Sequence, residues 1–189
     1  MAKKKLPAWT TINTHVTLHH GCTRFNALRI QAGVNPTVGK PHTDFGRGFY
    51  LTTRVDQAAQ WARRQFLAAY PGGTKTAGGD RPAIVSFRVP LDALSRLPSL
   101  AFVRGEPTND TFWSFVTHCR GGNSHAHPIL LPPNDWYDVV SGPVAALPLA
   151  NRTAIAGYDQ FSFHTATAAA MLNAIPRVAP DFAIRLLKP

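Results

Sequence analysis

The stretch Asp44–Thr53, DFGRGFYLTT, constrains the fold of this chain more than any other. Glycines bracket an arginine, an aromatic pair follows, and threonines close the run where a helical pattern begins. Glycine reaches conformations and close approaches that a β-carbon forbids, so GRG reads as a tight cationic turn. Phe49, Tyr50 and Leu51 behind it have strand chemistry. Val55, Ala58, Ala59, Ala62, Phe66 and Ala69 then recur at helical spacing, which predicts an amphipathic helix within residues 52–70. Thr53, followed by Asp56 at the capping distance, predicts a capping box at its start, with Asp in place of Glu.

The flanking chain alternates strand and helix signals. In residues 14–20, THVTLHH, one face carries Val16, Leu18 and His20 and the other His15, Thr17 and His19, which predicts a strand ending on a histidine. Gly21 breaks the run, and TRFNALRIQAG predicts a short helix. Residues 34–43 form a Pro/Gly-punctuated loop, and residues 71–81 form another before the strand PAIVSFRVP. A helix in NDTFWSFVTHCRGG is capped by Asn109 or Asp110 and stopped by the glycine pair. After a long loop at 121–135 come the strands WYDVVSGPVA and YDQFSFHT, a helix in ATAAAMLNAI capped by Thr165, and a final edge strand FAIRLL. With no internal repeat and no linker, this order predicts one α+β domain over residues 14–189 behind a basic tail, residues 1–13.

Composition narrows the partners. The 189 residues are 44% hydrophobic, and 20 Lys plus Arg outnumber 10 acids to give a net charge of +10. That balance favours polyanions, whether nucleic acid, a nucleotide or an acidic protein face, with a merely solvated basic surface as the competing reading. No apolar run approaches the roughly 18 residues of a membrane span, so no membrane partner is expected. The opening MAKKKLPAWTTINTHV has no apolar segment after its lysines, so no signal peptide is predicted. With Cys22 and Cys119 as the whole cysteine complement, the expected place is the cytoplasm, or a target cell reached through a signal-independent secretion machine. His118, Cys119, His125 and His127 cluster in HCRGGNSHAH, but their spacing fits no standard zinc site, and no metal is expected. Nothing in the sequence marks either cysteine as an activated nucleophile. The chain has no phosphate-cradling GxxxxGK[ST], no GxGxxG and no GxSxG. Its one glutamate is Glu106, and no spacing among the aspartates proposes a hydrolytic carboxylate pair.

Three pieces in order, LHHG at 18–21, FGRGFYLTT opening a helix, and YDQFSFHT near the end, resemble the three-part pattern of poly-ADP-ribosyltransferase-like enzymes of the His-Tyr-Glu type. More narrowly, the chain resembles a bacterial branch of unknown-function domains in that superfamily with a DFGxGFYxT motif. Further pieces of that resemblance are the alanine-rich helix with Trp at Ala58–Ala62, Trp113–Arg120, Tyr137–Ala145 and Asp159–Thr165, so that it runs from about His15 to about Leu172. The resemblance implies a single ADP-ribosyltransferase-like domain whose core is a split, mixed and antiparallel β-sheet with flanking helices. It also implies NAD as substrate. His20 would bond ribose hydroxyls, the Gly21 backbone would meet the nicotinamide carboxamide, and Tyr50 would stack on the nicotinamide ring. Gln160 stands where polymerising relatives carry the catalytic glutamate, and residues 34–43 match the donor-site loop.

Elementary chemistry agrees with these assignments. Cleavage of the nicotinamide–ribose bond passes through an oxocarbenium-like cation, so the ribose must be oriented and the leaving ring cradled. Gly48 lets the backbone come close to a ligand, and Arg47 could pair with a diphosphate oxygen or simply face solvent. His19 competes with His20, but adjacency to Gly21 favours His20. A glutamine cannot act as a general base, so mono-ADP-ribosyl transfer is expected rather than chain elongation, with Asp159 or Glu106 open as assisting groups. The expected acceptor is nucleic acid (RNA or DNA), slightly ahead of protein, and the resemblance suggests a toxin or effector that an acidic antitoxin could silence. The alternatives are an NAD glycohydrolase and a non-catalytic basic nucleic-acid-binding module on the same fold. Tyr50→Ala is expected to abolish NAD turnover and leave the fold intact.

Overall fold

The computed structural model describes residues 14–73, 77–102, 110–123 and 137–188. The basic tail, Glu106, Asn109, His125 and His127 lie outside the described residues. In chain order the elements are β1 (His15–Thr23), α1 (Arg24–Ala32), β2 (Phe49–Leu51), α2 (Val55–Ala69), β3 (Pro82–Pro90), α3 (Leu91–Leu94), β4 (Ser99–Ala101), α4 (Asp110–Arg120), β5 (Val139–Ala145), β6 (Ala154–Phe163), α5 (Ala166–Asn173) and β7 (Phe182–Leu186).

The strands form two sheets. One runs β1-β3-β7 and is antiparallel throughout; the other runs β2-β6-β5-β4, with β4 and β5 parallel and the rest antiparallel. They touch along the β1 and β2 edges through a single backbone pair, His19 with Thr52, whose two hydrogen bonds are 2.8 and 2.9 Å. The core is therefore a split mixed and antiparallel sheet with flanking helices, an α+β arrangement like the one the resemblance implies.

Two apolar clusters form: one joins residues of both sheets, and the other packs α4 and Phe45 against β5. Leu18, Phe49, Val85, Phe87, Phe163, Leu172 and Phe182 fill the first, and Phe45, Trp113, Phe115, Val116 and Val140 fill the second. The short segment from Phe45 to Phe49 thus feeds both cores at once. Buried aromatic area dominates such cores, so this segment is anchored at both ends.

The local predictions largely hold. Thr23 caps α1 by accepting from the Asn26 N–H, and Thr165 caps α5 by accepting from the Ala168 N–H. β7 lies at a sheet edge, and Leu18 is fully buried on the face assigned to it. The capping box of α2 is overturned. Arg54 occupies the cap position with no side-chain bond, because the Thr53 hydroxyl donates to the Asp159 carboxylate instead. The bond to Asp159 on the neighbouring strand aims that hydroxyl away from the first-turn amides. The short elements α3 and β4 had no sequence signal, being a single turn and a three-residue strand.

Candidate functional site

Register fixes which backbone groups stay unspent where the sheets part. In an antiparallel ladder, alternate residues turn both N–H and C=O to one neighbour and the intervening residues to the other. His19 spends both groups on Thr52, so Gly21, two residues on, turns its N–H and C=O toward the same edge. By the same alternation Tyr50 turns its backbone groups from β2 toward β1. Past the His19–Thr52 pair the strands are not paired, and the His20 ring spans the gap. Its Nδ1 donates to the Tyr50 carbonyl at 2.7 Å, and the ring stacks on Phe49 with centroids 4.7 Å apart.

This bond fixes the tautomer. A carbonyl can only accept, so Nδ1 carries the proton, and burial pulls the His20 pKa below 6.5 and keeps the ring neutral. Nε2 is left with a lone pair, an acceptor aimed at no described protein donor. His19 is committed elsewhere: its Nδ1 lies 2.8 Å from the Ser86 hydroxyl on β3. His20 and not His19 therefore joins Tyr50.

Gly21 has a packing reason to be glycine. A β-carbon there would lie 2.0 Å from the Ala58 carbonyl oxygen and 2.8 Å from the Ala62 nitrogen, so α2 rests directly on β1 at this point. The glycines around Arg47 have different reasons. Gly46 adopts φ +77°, a left-handed turn conformation. At Gly48 a β-carbon would lie 2.4 Å from the Ser162 hydroxyl and 3.0 Å from the Phe163 carbonyl, so β2 starts in contact with β6. Gly39 packs in turn on the Gly48 backbone, which lays residues 34–43 against the start of β2.

The Tyr50 hydroxyl is not free chemistry. It donates to the Gly46 carbonyl at 2.7 Å, accepts from the Phe45 N–H at 3.0 Å, and shares a hydrogen bond with the Thr43 hydroxyl at 2.7 Å. Burial holds its pKa above the usual phenol range, so it stays protonated. Tyr50 thus organises the turn before it, and the expectation that Tyr50→Ala leaves the fold intact does not stand. Arg47 is exposed; its guanidinium donates to the Thr37 carbonyl at 2.9 Å and its own carbonyl accepts from His164 Nδ1 at 2.8 Å.

Gln160 hydrogen-bonds neither His20 nor Tyr50. Its amide nitrogen donates to Asp44 Oδ2 at 2.7 Å and to the Pro143 carbonyl at 2.9 Å. Both partners are pure acceptors, which fixes the amide orientation and turns Oε1 away from them. Asp44, only 4% exposed, also takes the Ala145 N–H at 2.8 Å and Arg120 Nε at 2.6 Å, with a second Arg120 nitrogen paired to the same Oδ1. The first residue of the DFGRGFY motif therefore nails the turn to α4, β5 and β6. Asp159, an open candidate for assisting catalysis, is used structurally: it accepts from the Thr52 hydroxyl and from the Thr53 N–H and hydroxyl, locking the β2–α2 junction.

Sequence reading passed over Trp61 as a site residue. It is 50% exposed and sits one turn after Gln57, which bonds the Asp159 backbone. Its signal was an aromatic off the apolar stripe of an otherwise regular helix. Cys22 and Cys119 are buried, and burial pushes both thiols up to about 12, with Asp80 and Asp44 adding to the effect; neither is a nucleophile at neutral pH. No group of three or more His, Cys, Asp or Glu gathers among the described residues. No helix among them is long and apolar enough to cross a membrane.

The fold and site define an α+β domain whose two sheets part around a histidine–tyrosine junction. The family described as Protein of unknown function (DUF3990) matches residues 16–174, and the chain belongs to that family. No curated protein and no solved structure matches it.

Proposed function

We propose that this protein binds NAD where β1 and β2 part and catalyses mono-ADP-ribosyl transfer with release of nicotinamide. The observation that carries the reading is the His20–Tyr50 junction beside the open edge at Gly21. One N–H and one C=O on a strand edge complement a carboxamide, which offers one acceptor and donors in the same plane. His20 Nε2 is an acceptor for a ribose hydroxyl, and its orientation is already held by the Tyr50 carbonyl. The aromatic face of Tyr50 suits a flat heterocycle. Together these groups orient the ribose and the leaving ring while the glycosidic bond breaks.

Gln160 limits the transfer half of the reaction. Its nitrogen is occupied by Asp44 and Pro143, and an amide takes no proton, so it serves only as a hydrogen-bond acceptor through Oε1. The acceptor substrate must then be nucleophilic without a general base, which favours a single transfer over chain elongation. The +10 charge favours a nucleic-acid acceptor over protein. Hydrolysis of NAD on the same site is the competing outcome, and a non-catalytic binding module is the other.

The test is incubation with NAD labelled in its adenylate half, together with RNA, DNA or cell lysate, following nicotinamide release and the fate of the label. Label on a macromolecule supports transfer, and free ADP-ribose alone makes the protein a glycohydrolase. No nicotinamide release with any acceptor sinks both enzymatic readings. Tyr50→Phe keeps the ring and Tyr50→Leu removes it; a stacking role requires turnover to survive the first far better than the second.

A further inference from the structure

The outer edge of the first sheet carries a second feature, away from the parted strands. A groove of about 390 Å³ runs along β7, lined by Phe182, Ile184 and Leu186 with Leu28, Arg24 and Arg177 opposite. The ladder shows which β7 groups face it. Arg88 N–H donates to the Asp181 carbonyl and Leu187 N–H to the Pro82 carbonyl, so odd-numbered β7 residues turn toward β3. Even-numbered ones turn outward. Phe182 N–H is used by the Val178 carbonyl, which leaves the Phe182 carbonyl and both backbone groups of Ile184 and Leu186 on the edge with no partner among the described residues.

The charge of the groove is one-sided. No acid lines it, and neither Arg24, Arg177 nor Arg185 belongs to an ion pair among the described residues. The Arg177 guanidinium lies over the Phe87 and Phe182 rings, 5.3 and 4.9 Å from their centroids; its Nη2 donates to Asn173 Oδ1 at 2.8 Å, while its Nη1 is sheltered from water with no acceptor among the described residues. Natural edge strands are usually covered, bulged or heavily charged; β7 reads FAIRL, with a single charge.

We infer that β7 is a docking edge for an extended acidic segment of another protein, which adds as a further strand and places its carboxylates on Arg24 and Arg177. Main-chain bonds to Ile184 and Leu186 would supply affinity and the arginines polarity of choice. A second copy of this chain is a poor occupant, since symmetric pairing would oppose two basic grooves on molecules that each carry +10. A polynucleotide matches the charge but cannot use the alternating donors and acceptors of a strand edge.

The probe is a fluorescein-labelled peptide of alternating valine and glutamate, about seven residues long as suits an added strand. Anisotropy should show saturable binding, weakened about tenfold or more by Arg24→Gln, which is exposed and safe for folding. Arg177→Gln should act in the same direction, with its melting temperature checked. On binding, hydrogen exchange should slow at the amides of Ile184 and Leu186. The same peptide methylated at every backbone nitrogen keeps its charge and should lose binding. No saturable binding overturns the inference, as does equal binding by the methylated peptide or by a valine–lysine peptide. An oligouridylate that displaces the peptide while leaving both amides unprotected reassigns the groove to polyanions and equally overturns it.

Discussion

Removing the Asp44 carboxylate tests whether the motif is anchored as described. Asp44 gathers donors from three elements: Arg120 on α4, the Ala145 N–H on β5 and the Gln160 amide on β6. In Asp44→Ala, Gln160 keeps the Pro143 carbonyl and Arg120 keeps the Ala145 carbonyl at 3.1 Å, but the Ala145 N–H loses its acceptor. Breaking one side of a buried ion pair costs about 3–5 kcal/mol, because the surviving charge is left uncompensated. Asp44 is 4% exposed and the Arg120 side chain 21%, so Arg120 can recover part of its hydration and the lower half of that range applies. For a chain of this size each kcal/mol moves the midpoint by roughly 2–4 °C, so a fall of about 6–16 °C is expected by calorimetry. Asp44→Asn keeps the volume but presents an NH₂ where only donors point, and should fall between alanine and wild type. The sharper measure is the cycle with Arg120→Met. The double variant should be less destabilised than the sum of the singles by about 1–3 kcal/mol. Additivity within about 0.5 kcal/mol, or a single-variant shift of under about 2 °C, would refute the buried pair as the anchor.

Single contacts carry further consequences. Gly48→Ala should destabilise strongly, and adding Ser162→Ala should restore part of the loss by removing the oxygen 2.4 Å from the new β-carbon; no rescue in thermal melts would place the clash at the Phe163 carbonyl instead. Native protein at about pH 8 should react with a thiol reagent at neither cysteine within minutes, whereas denatured protein should titrate both; a fast native equivalent would refute the buried, high-pKa assignment. Burial lowers His20 and His19 from 6.5, so the unfolded chain binds more protons than the folded one below that value. Stability should hold above about pH 6.5 and fall as pH drops beneath it, and His20→Gln should flatten that fall in melts across the range; an unchanged slope would remove His20 as a contributor. Tyr50→Phe deletes a hydroxyl with three partners and should lower the melting midpoint by several degrees, roughly 1–3 kcal/mol, even where turnover survives.

Much of this architecture was legible because local chemistry and tertiary packing agree. Alternation in THVTLHH placed Leu18 and His20 on the correct face of β1, and Thr165 caps the helix its spacing announced. Thr53 misled because a capping box is a local rule, and the acceptor that overrides it, Asp159, comes from a strand more than a hundred residues away. Gln160 was found by its motif, but its burial against Asp44 depends on a contact 116 residues long that no window can see. Gly21 and Gly48 stood out as glycines; that one is pinned by α2 and the other by β6 needed the backbone traces.

The same facts change what the motif can be used to argue. Asp44 ties three elements, Phe45 and Phe49 feed separate cores, Gly46 turns, Gly48 admits β6, and the Tyr50 hydroxyl holds the turn. Each of those residues has a role in the fold, so apart from Arg47 the pattern DFGRGFY would persist in a relative with no catalytic activity. Functional weight therefore falls on groups the fold leaves unspent: His20 Nε2, the edge N–H and C=O of Gly21, and the exposed face of Trp61. Trp61→Ala sits outside both core clusters and should barely move the melting temperature. If NAD turnover falls with that variant while stability holds, the exposed face of α2 takes part in the site; if turnover and stability both persist, that face has no part in it.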